Sequence, residues 1–174
     1  DGGPDAWWTP DGIRGPGFVT DQYVYPNDQQ ATTMFYHDHA LGTTRLNVYA
    51  GLAGFYLLLD PEGEPANLPG GPADHAADQY GNPYQVGLAI QDRMFDTNGQ
   101  LYFPSAGINP EPPFWLPEVF GDVILVNGKP WPYLQVEPRR YRFRFLNGSN
   151  ARAYEMRLTD RALKTAGPAF WQIG

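Results

Sequence analysis

The chain has 174 residues, which at roughly 100–200 residues per domain allows one full domain or two incomplete ones. Nineteen acidic residues outnumber twelve basic ones, and a net charge of −7 with only two lysines argues against nucleic acid or a membrane as a partner. Cysteine is absent, which excludes disulfides, Cys-type zinc and iron–sulfur sites, Cys nucleophiles and any copper centre that needs a thiolate.

Aromatics at 15% together with 20 glycines and 18 prolines suit short strands joined by irregular loops, an all-β composition. No apolar run reaches the roughly eighteen residues of a membrane span, and the opening residues do not read as a signal peptide. Without an initial Met, the chain is expected to be a processed or excised segment.

In chain order, Phe18 to Tyr25 and Thr32 to His39 are predicted strands. Leu41 to Leu52 predicts one short helix, with Leu41, Val48 and Leu52 near a common stripe. Ala53 to Leu59 and Val86 to Gln91 predict further strands, separated by a loop from Pro61 to Pro83 that holds Pro65, Pro69, Gly70, Gly71 and Pro72. Pro104 to Pro117, with Pro110, Pro112 and Pro113, reads as a linker, because proline lacks an amide donor and biases its predecessor to extended conformations. Charge changes across it. Residues 1–120 carry three basic and fifteen acidic side chains, residues 121–174 nine basic and four acidic.

Beyond the linker, Ile124 to Val126 meets Asn127-Gly128 and then Trp131 to Val136, a hairpin signal because Asn-Gly takes the positive φ values of a tight turn. Arg140 to Phe145 alternates, with Tyr141, Phe143 and Phe145 on one face and Arg140, Arg142 and Arg144 on the other; Tyr154, Met156 and Leu158 repeat the pattern. The arginine row is expected to be a solvated face without function. The elements amount to a β-sandwich or Greek-key module, with the beginning of a second one after residue 120.

His37-Asp38-His39 is the one compact constellation with chemical potential. At the end of a strand, side chains at i and i+2 share a face with Cα atoms about 6–7 Å apart. Two imidazoles so placed can grip one metal ion, or each can hold one member of a metal pair; an ordinary surface pair has the same pattern. Asp38 points away, where orienting a neighbour or capping the following helix suits it better. His75 reads as a solvent-exposed loop residue, and Trp7, Trp8, Trp115 and Trp131 as core or domain-packing aromatics rather than a ligand platform.

The run from Met34 to Gly42 (MFYHDHALG), followed by Thr44 to Gly54 (TRLNVYAGLAG), resembles the multicopper oxidases of bacteria, most closely their spore-coat laccase and bilirubin-oxidase-like branch. The similarity runs through Pro4-Asp5-Ala6-Trp7, Gln91-Asp92-Arg93, Tyr102 to Ala106, Ile124 to Leu134, Val136 to Arg139, Tyr141 to Arg144 with Asn147, and Gln172 to Gly174. It implies an internal piece of a three-domain, cupredoxin-like enzyme: residues 1–103 as the later part of domain 1, 104–120 as a Pro-rich connector, and 121–174 as the opening strands of domain 2.

The implied activity is laccase-like, coupling one-electron oxidation of phenolic-type donors to four-electron reduction of dioxygen to water. Bilirubin or cuprous-ion oxidase of the same architecture is the alternative, with a non-catalytic cupredoxin-like binding module as the rival from another class. By the resemblance, His37 and His39 each ligate one copper of the type 3 pair, and Asp1 falls where the family keeps an acidic residue that supplies protons. As a plain residue, Asp1 reads as a turn Asp before Gly2. The family's other copper motifs are missing, so the ligand set is partial and this stretch alone is expected to be inactive. Implied partners are dioxygen, a small aromatic donor and the remaining cupredoxin domains; implied locations are spore coat, periplasm or exterior. Phe35 departs from the Trp often found at its place, a change that leaves the ligands alone.

Overall fold

Two sheets and one short helix make up the regular structure of the computed structural model, which describes all residues except 1, 2, 4, 61, 72, 73, 75, 105, 108–115, 117 and 163. The elements run β1 (Thr32–His37), α1 (Thr44–Ala50), β2 (Ala53–Leu58), β3 (Gln85–Phe95), β4 (Leu101–Tyr102), β5 (Val123–Val126), β6 (Lys129–Pro130) and β7 (Arg142–Asn147). The all-β expectation holds.

β1 and β2 pair antiparallel, with Phe35 opposite Phe55 and His37 opposite Ala53 as the last rung. Their connection is α1, which stops at Gly51 in the left-handed region (φ 115°), where the missing Cβ lets its N–H turn back to the carbonyls of Asn47 and Val48. The helix buries Tyr49 rather than the expected stripe of Leu41, Val48 and Leu52; Val48 is half-buried, and Leu41 and Leu52 face solvent. The phenol explains the choice. Tyr49 donates to the Tyr102 carbonyl (2.7 Å) and accepts from the Met94 amide (2.7 Å), bonds that join the helix to both β3 and β4.

β3 organises the second sheet. It pairs antiparallel with β4 and β5 and parallel with β7, Val86 lying opposite Phe143 and Leu88 opposite Phe145. A strand from before the Pro-rich linker is therefore hydrogen-bonded to strands that follow it. The Asn127-Gly128 turn forms as expected, with φ of 50° and 78°. Asn127 also acts through its side chain, accepting from the Ala89 amide (2.8 Å) and donating to the Gly87 carbonyl (2.9 Å), which sets the hairpin against β3.

Three predicted strands are absent among the described residues. Phe18 to Tyr25 has no partner ladder, so its β-forming side chains have no pleated surface to pack on. Trp131 to Val136 fails because Pro130 and Pro132 withdraw amide donors, and β6 ends after two residues. Tyr154 to Leu158 is also unpaired; the nearest contact of this kind is the isolated bridge between Thr159 and Ala166. Trp7, Trp8 and Trp131 are 41%, 43% and 66% exposed and so are not core residues of this chain, and Trp115 lies outside the described residues.

The arginine row is a solvated face only at Arg140, which precedes β7. The side chains of Arg142 and Arg144 are only 14% and 9% exposed, because Glu64 from the preceding loop lies across both, at 3.1 and 3.6 Å. Loop residues 76–84 are fastened to 135–142 by Asp78, whose carboxylate accepts from the Tyr141 hydroxyl (2.6 Å), the Asn82 side chain (3.0 Å) and the amides of Tyr80 and Asn82. Burial alone would raise its pKa, but these donors outweigh it and hold the carboxyl at about 2. The buried apolar residues are Tyr49, Tyr84, Val119, Leu125 and Leu146, and beside them lie buried Asp92 and Arg93.

Candidate metal centre

The histidine pair sits where β1 gives way to the turn before α1. Phe35, His37 and His39 form a row of rings, the first two stacked at 5.6 Å and 22°, the histidines 5.7 Å apart at 39°. Period-two alternation produces this row, and it continues one residue beyond the last rung of the ladder. Both imidazoles are exposed. His37 Nδ1 lies 2.6 Å from the carbonyl oxygen of Asp38, an atom that can only accept, so Nδ1 is the donor; in the neutral imidazole this leaves the Nε2 lone pair for a ligand.

Asp38 turns toward α1, as its place in the alternation requires. Its Oδ1 accepts from the Ala40 amide (3.2 Å) and from Asn47 Nδ2 (2.9 Å), while its own amide donates to the Leu52 carbonyl (3.0 Å). It closes the turn ahead of the helix; the N-cap position itself belongs to Thr43, which makes no side-chain capping bond. Among the described residues, no group of three or more His, Cys, Asp or Glu side chains converges in a way that could hold a metal ion. Asp1 and His75 lie outside the described residues.

An open groove of about 410 Å³ runs beside His37, with Phe35, His37 and Arg45 on one wall and residues 147–150 on the other. Sequence reasoning did not single out what holds that second wall. Asp92, 2% exposed within β3, accepts at Oδ2 from the Gly121 amide (2.7 Å) and from Arg152 Nε (3.1 Å), and Arg152 also donates to the Gly121 carbonyl (2.8 Å). The Asp92 amide donates to Ser149 Oγ (3.1 Å), and Asn150 reaches across to the Arg45 carbonyl (2.9 Å).

Burial would raise the Asp92 carboxyl, but hydrogen bonds from Ser149, Gly121 and Arg152 bring it below the ordinary carboxylate value. Neighbouring Arg93 is lowered by burial; its guanidinium lies 4.8 Å over the Tyr49 ring and bonds the carbonyls of Asp92 and Val48. A partial signal was present: the adjacent charges Asp92-Arg93 follow directly on the predicted strand Val86 to Gln91, and once β3 is seen to run on to Phe95 they need internal partners.

No protein-family model matches the chain. It is 49% identical to a laccase of Bacillus stratosphericus, over 93% of this chain and 31% of that protein. It is 45% identical to the laccase of Bacillus subtilis (100% and 32%) and 40% identical to the bilirubin oxidase of Albifimbria verrucaria (88% and 23%). The chain thus spans about a third of the length of the laccases it matches. Among solved structures, the McoA multicopper oxidase of Aquifex aeolicus superposes with a TM-score of 0.50 at 35% identity, over 71% of this chain and 24% of that one. A cupredoxin-like, all-β architecture and identity approaching one half across nearly the whole chain lead to one conclusion: the chain belongs to the multicopper oxidases, in their laccase and bilirubin-oxidase type.

Proposed function

We propose that the chain is a stretch of a laccase-like multicopper oxidase in which His37 and His39 each ligate one copper of a type 3 pair. The observation that carries this reading is the row of imidazoles 5.7 Å apart, with His37 Nδ1 already engaged and Nε2 left free. Neutral imidazole nitrogen is a donor that suits copper, so the residues present fit the metal. Two such donors do not fill the coordination of two coppers, and the remaining ligands belong to other parts of the whole protein.

Bound copper supplies the capacity to take single electrons from a donor and deliver four of them to dioxygen. The chain's own contribution is to hold and aim. Phe35 stacks on His37 and covers one of its faces, and Asp38 ties the intervening residue to α1. Asp1 is assigned the proton-supplying role on its sequence match alone. A phenolic-type donor is preferred to bilirubin because identity to the laccases (49% and 45%) exceeds that to the bilirubin oxidase (40%).

The connector at residues 104–120 stays part of the same proposal; the bonding of β3 to β5 and β7 favours counting β3 with the second domain, which moves the proposed boundary ahead of Gln85. The test is His39→Ala in the full-length protein. Copper content should fall, and oxygen consumption with a phenolic donor should drop by orders of magnitude. Wild-type copper content together with a wild-type rate would defeat the assignment.

A further inference from the structure

His39 is held by neither of the two usual means. The β1–β2 ladder ends at His37 opposite Ala53, so the ladder does not reach residue 39, and the exposed His39 ring has only the His37 ring beside it among the described residues, at 5.7 Å. What defines the pair is the residue between. The Asp38 amide donates to the Leu52 carbonyl (3.0 Å), the Leu52 amide donates to the Asn47 carbonyl (3.0 Å), and Asn47 Nδ2 donates back to Asp38 Oδ1 (2.9 Å). These three bonds close a ring. The Ala40 amide adds a second donor to Asp38 Oδ1 (3.2 Å), and the Asp38 carbonyl accepts from His37 Nδ1 (2.6 Å). The amide, carbonyl and side chain of Asp38 are all engaged, and Asn47 supplies both a donor and an acceptor to the ring.

We propose that Asn47 is a positioning residue for the His37–His39 pair: acting through Asp38, it sets the separation and relative angle of the two imidazoles. This rests on the reading of the histidines as copper ligands. An amide is the side chain the position calls for. It offers Nδ2 to a carboxylate, whereas Asp of the same shape would set carboxylate against carboxylate, and Leu would offer no donor. Groups that orient metal ligands typically contribute about 10–100-fold to metal affinity, which sets the scale of the expected effect.

The test uses the full-length protein and copper alone as the probe, titrated in competition with a chelator, with thermal unfolding followed in parallel. Asn47→Leu should weaken copper binding by about 10–100-fold. Asn47→Asp is the near-isosteric second arm, with a loss of the same order expected. Asp38→Ala should match them, while Asp38→Asn, which keeps the acceptor oxygen, should recover most of the affinity. Tyr49→Phe serves as the stability control: it removes buried bonds on the same helix, away from the pair, and should lower Tm with copper affinity unchanged.

If Tyr49→Phe weakened copper as much as Asn47→Leu, general destabilisation would account for the loss and the positioning role would be refuted. His37→Ala separates the two levels. Should it lose copper while both Asn47 variants bind like the wild type, the positioning role alone fails. Should it retain full copper stoichiometry and affinity, the ligand reading fails and takes this inference with it.

Discussion

Replacing Asp92 with Ala removes the acceptor around which the second sheet meets the segment entering β5. Asp92 is 2% exposed, and its Oδ2 is the partner of the Gly121 amide at 2.7 Å and of Arg152 Nε at 3.1 Å. Gly121 is itself buried, so its amide would be left without an acceptor and out of reach of water, a loss of about 1–3 kcal/mol. Arg152 is different. Its side chain is 34% exposed and keeps its bond to the Gly121 carbonyl, so much of its charge is recovered by solvent and its share is about 0.5–1 kcal/mol. Together these amount to about 1.5–4 kcal/mol.

Urea unfolding of the chain, followed by tryptophan fluorescence, should therefore show a midpoint lower by about 1–2 M, taking a slope of ~2 kcal/mol per M. Hydrogen exchange at the Gly121 amide should accelerate in the same variant. Asp92→Asn, which keeps an oxygen for Gly121, should lose about half as much. A midpoint for Asp92→Ala within experimental error of the wild type, with Gly121 protection intact, would refute the reasoning.

Asp78 makes a pH prediction. Its folded pKa of about 2 lies below the ordinary 3.8, so the stabilisation it confers is complete above that value and is lost as pH falls through about 2. The stability gap between wild type and Asp78→Asn should accordingly narrow from pH 5 to pH 2 in a series of unfolding curves; a gap that stays constant over that range contradicts the assignment. Gly121→Ala should destabilise by ~1–3 kcal/mol, because a Cβ there would meet the Arg93 carbonyl oxygen and the Asp92 carbonyl carbon at 2.7 Å, both backbone atoms that cannot rotate aside. A wild-type Tm for that variant would show that the approach to β3 is looser than these distances state.

Local patterns determined much of what the sequence could say by itself. Alternation placed His37 and His39 on one face, and the Asn-Gly pair formed its turn with both φ values positive, because each depends only on residues adjacent in the chain. The run of motifs around His37-Asp38-His39 carried the family, since identity is a property of the string. The tertiary structure alone decided what depends on a partner distant in sequence. Phe18 to Tyr25 and Tyr154 to Leu158 have strand-like side chains, but a strand is defined by the ladder opposite it, and none is there. Arg140, Arg142 and Arg144 alternate as a solvent face would, yet Glu64, far back in a loop, covers the two that lie in β7. Asp92 and Arg93 announced a need for partners without naming them; Gly121, Ser149 and Arg152 were supplied by chain reversals that no local pattern encodes. Asn47 is the sharpest case. On the helix it is one polar residue among several, and only the folding of α1 back over the end of β1 brings its amide to Asp38.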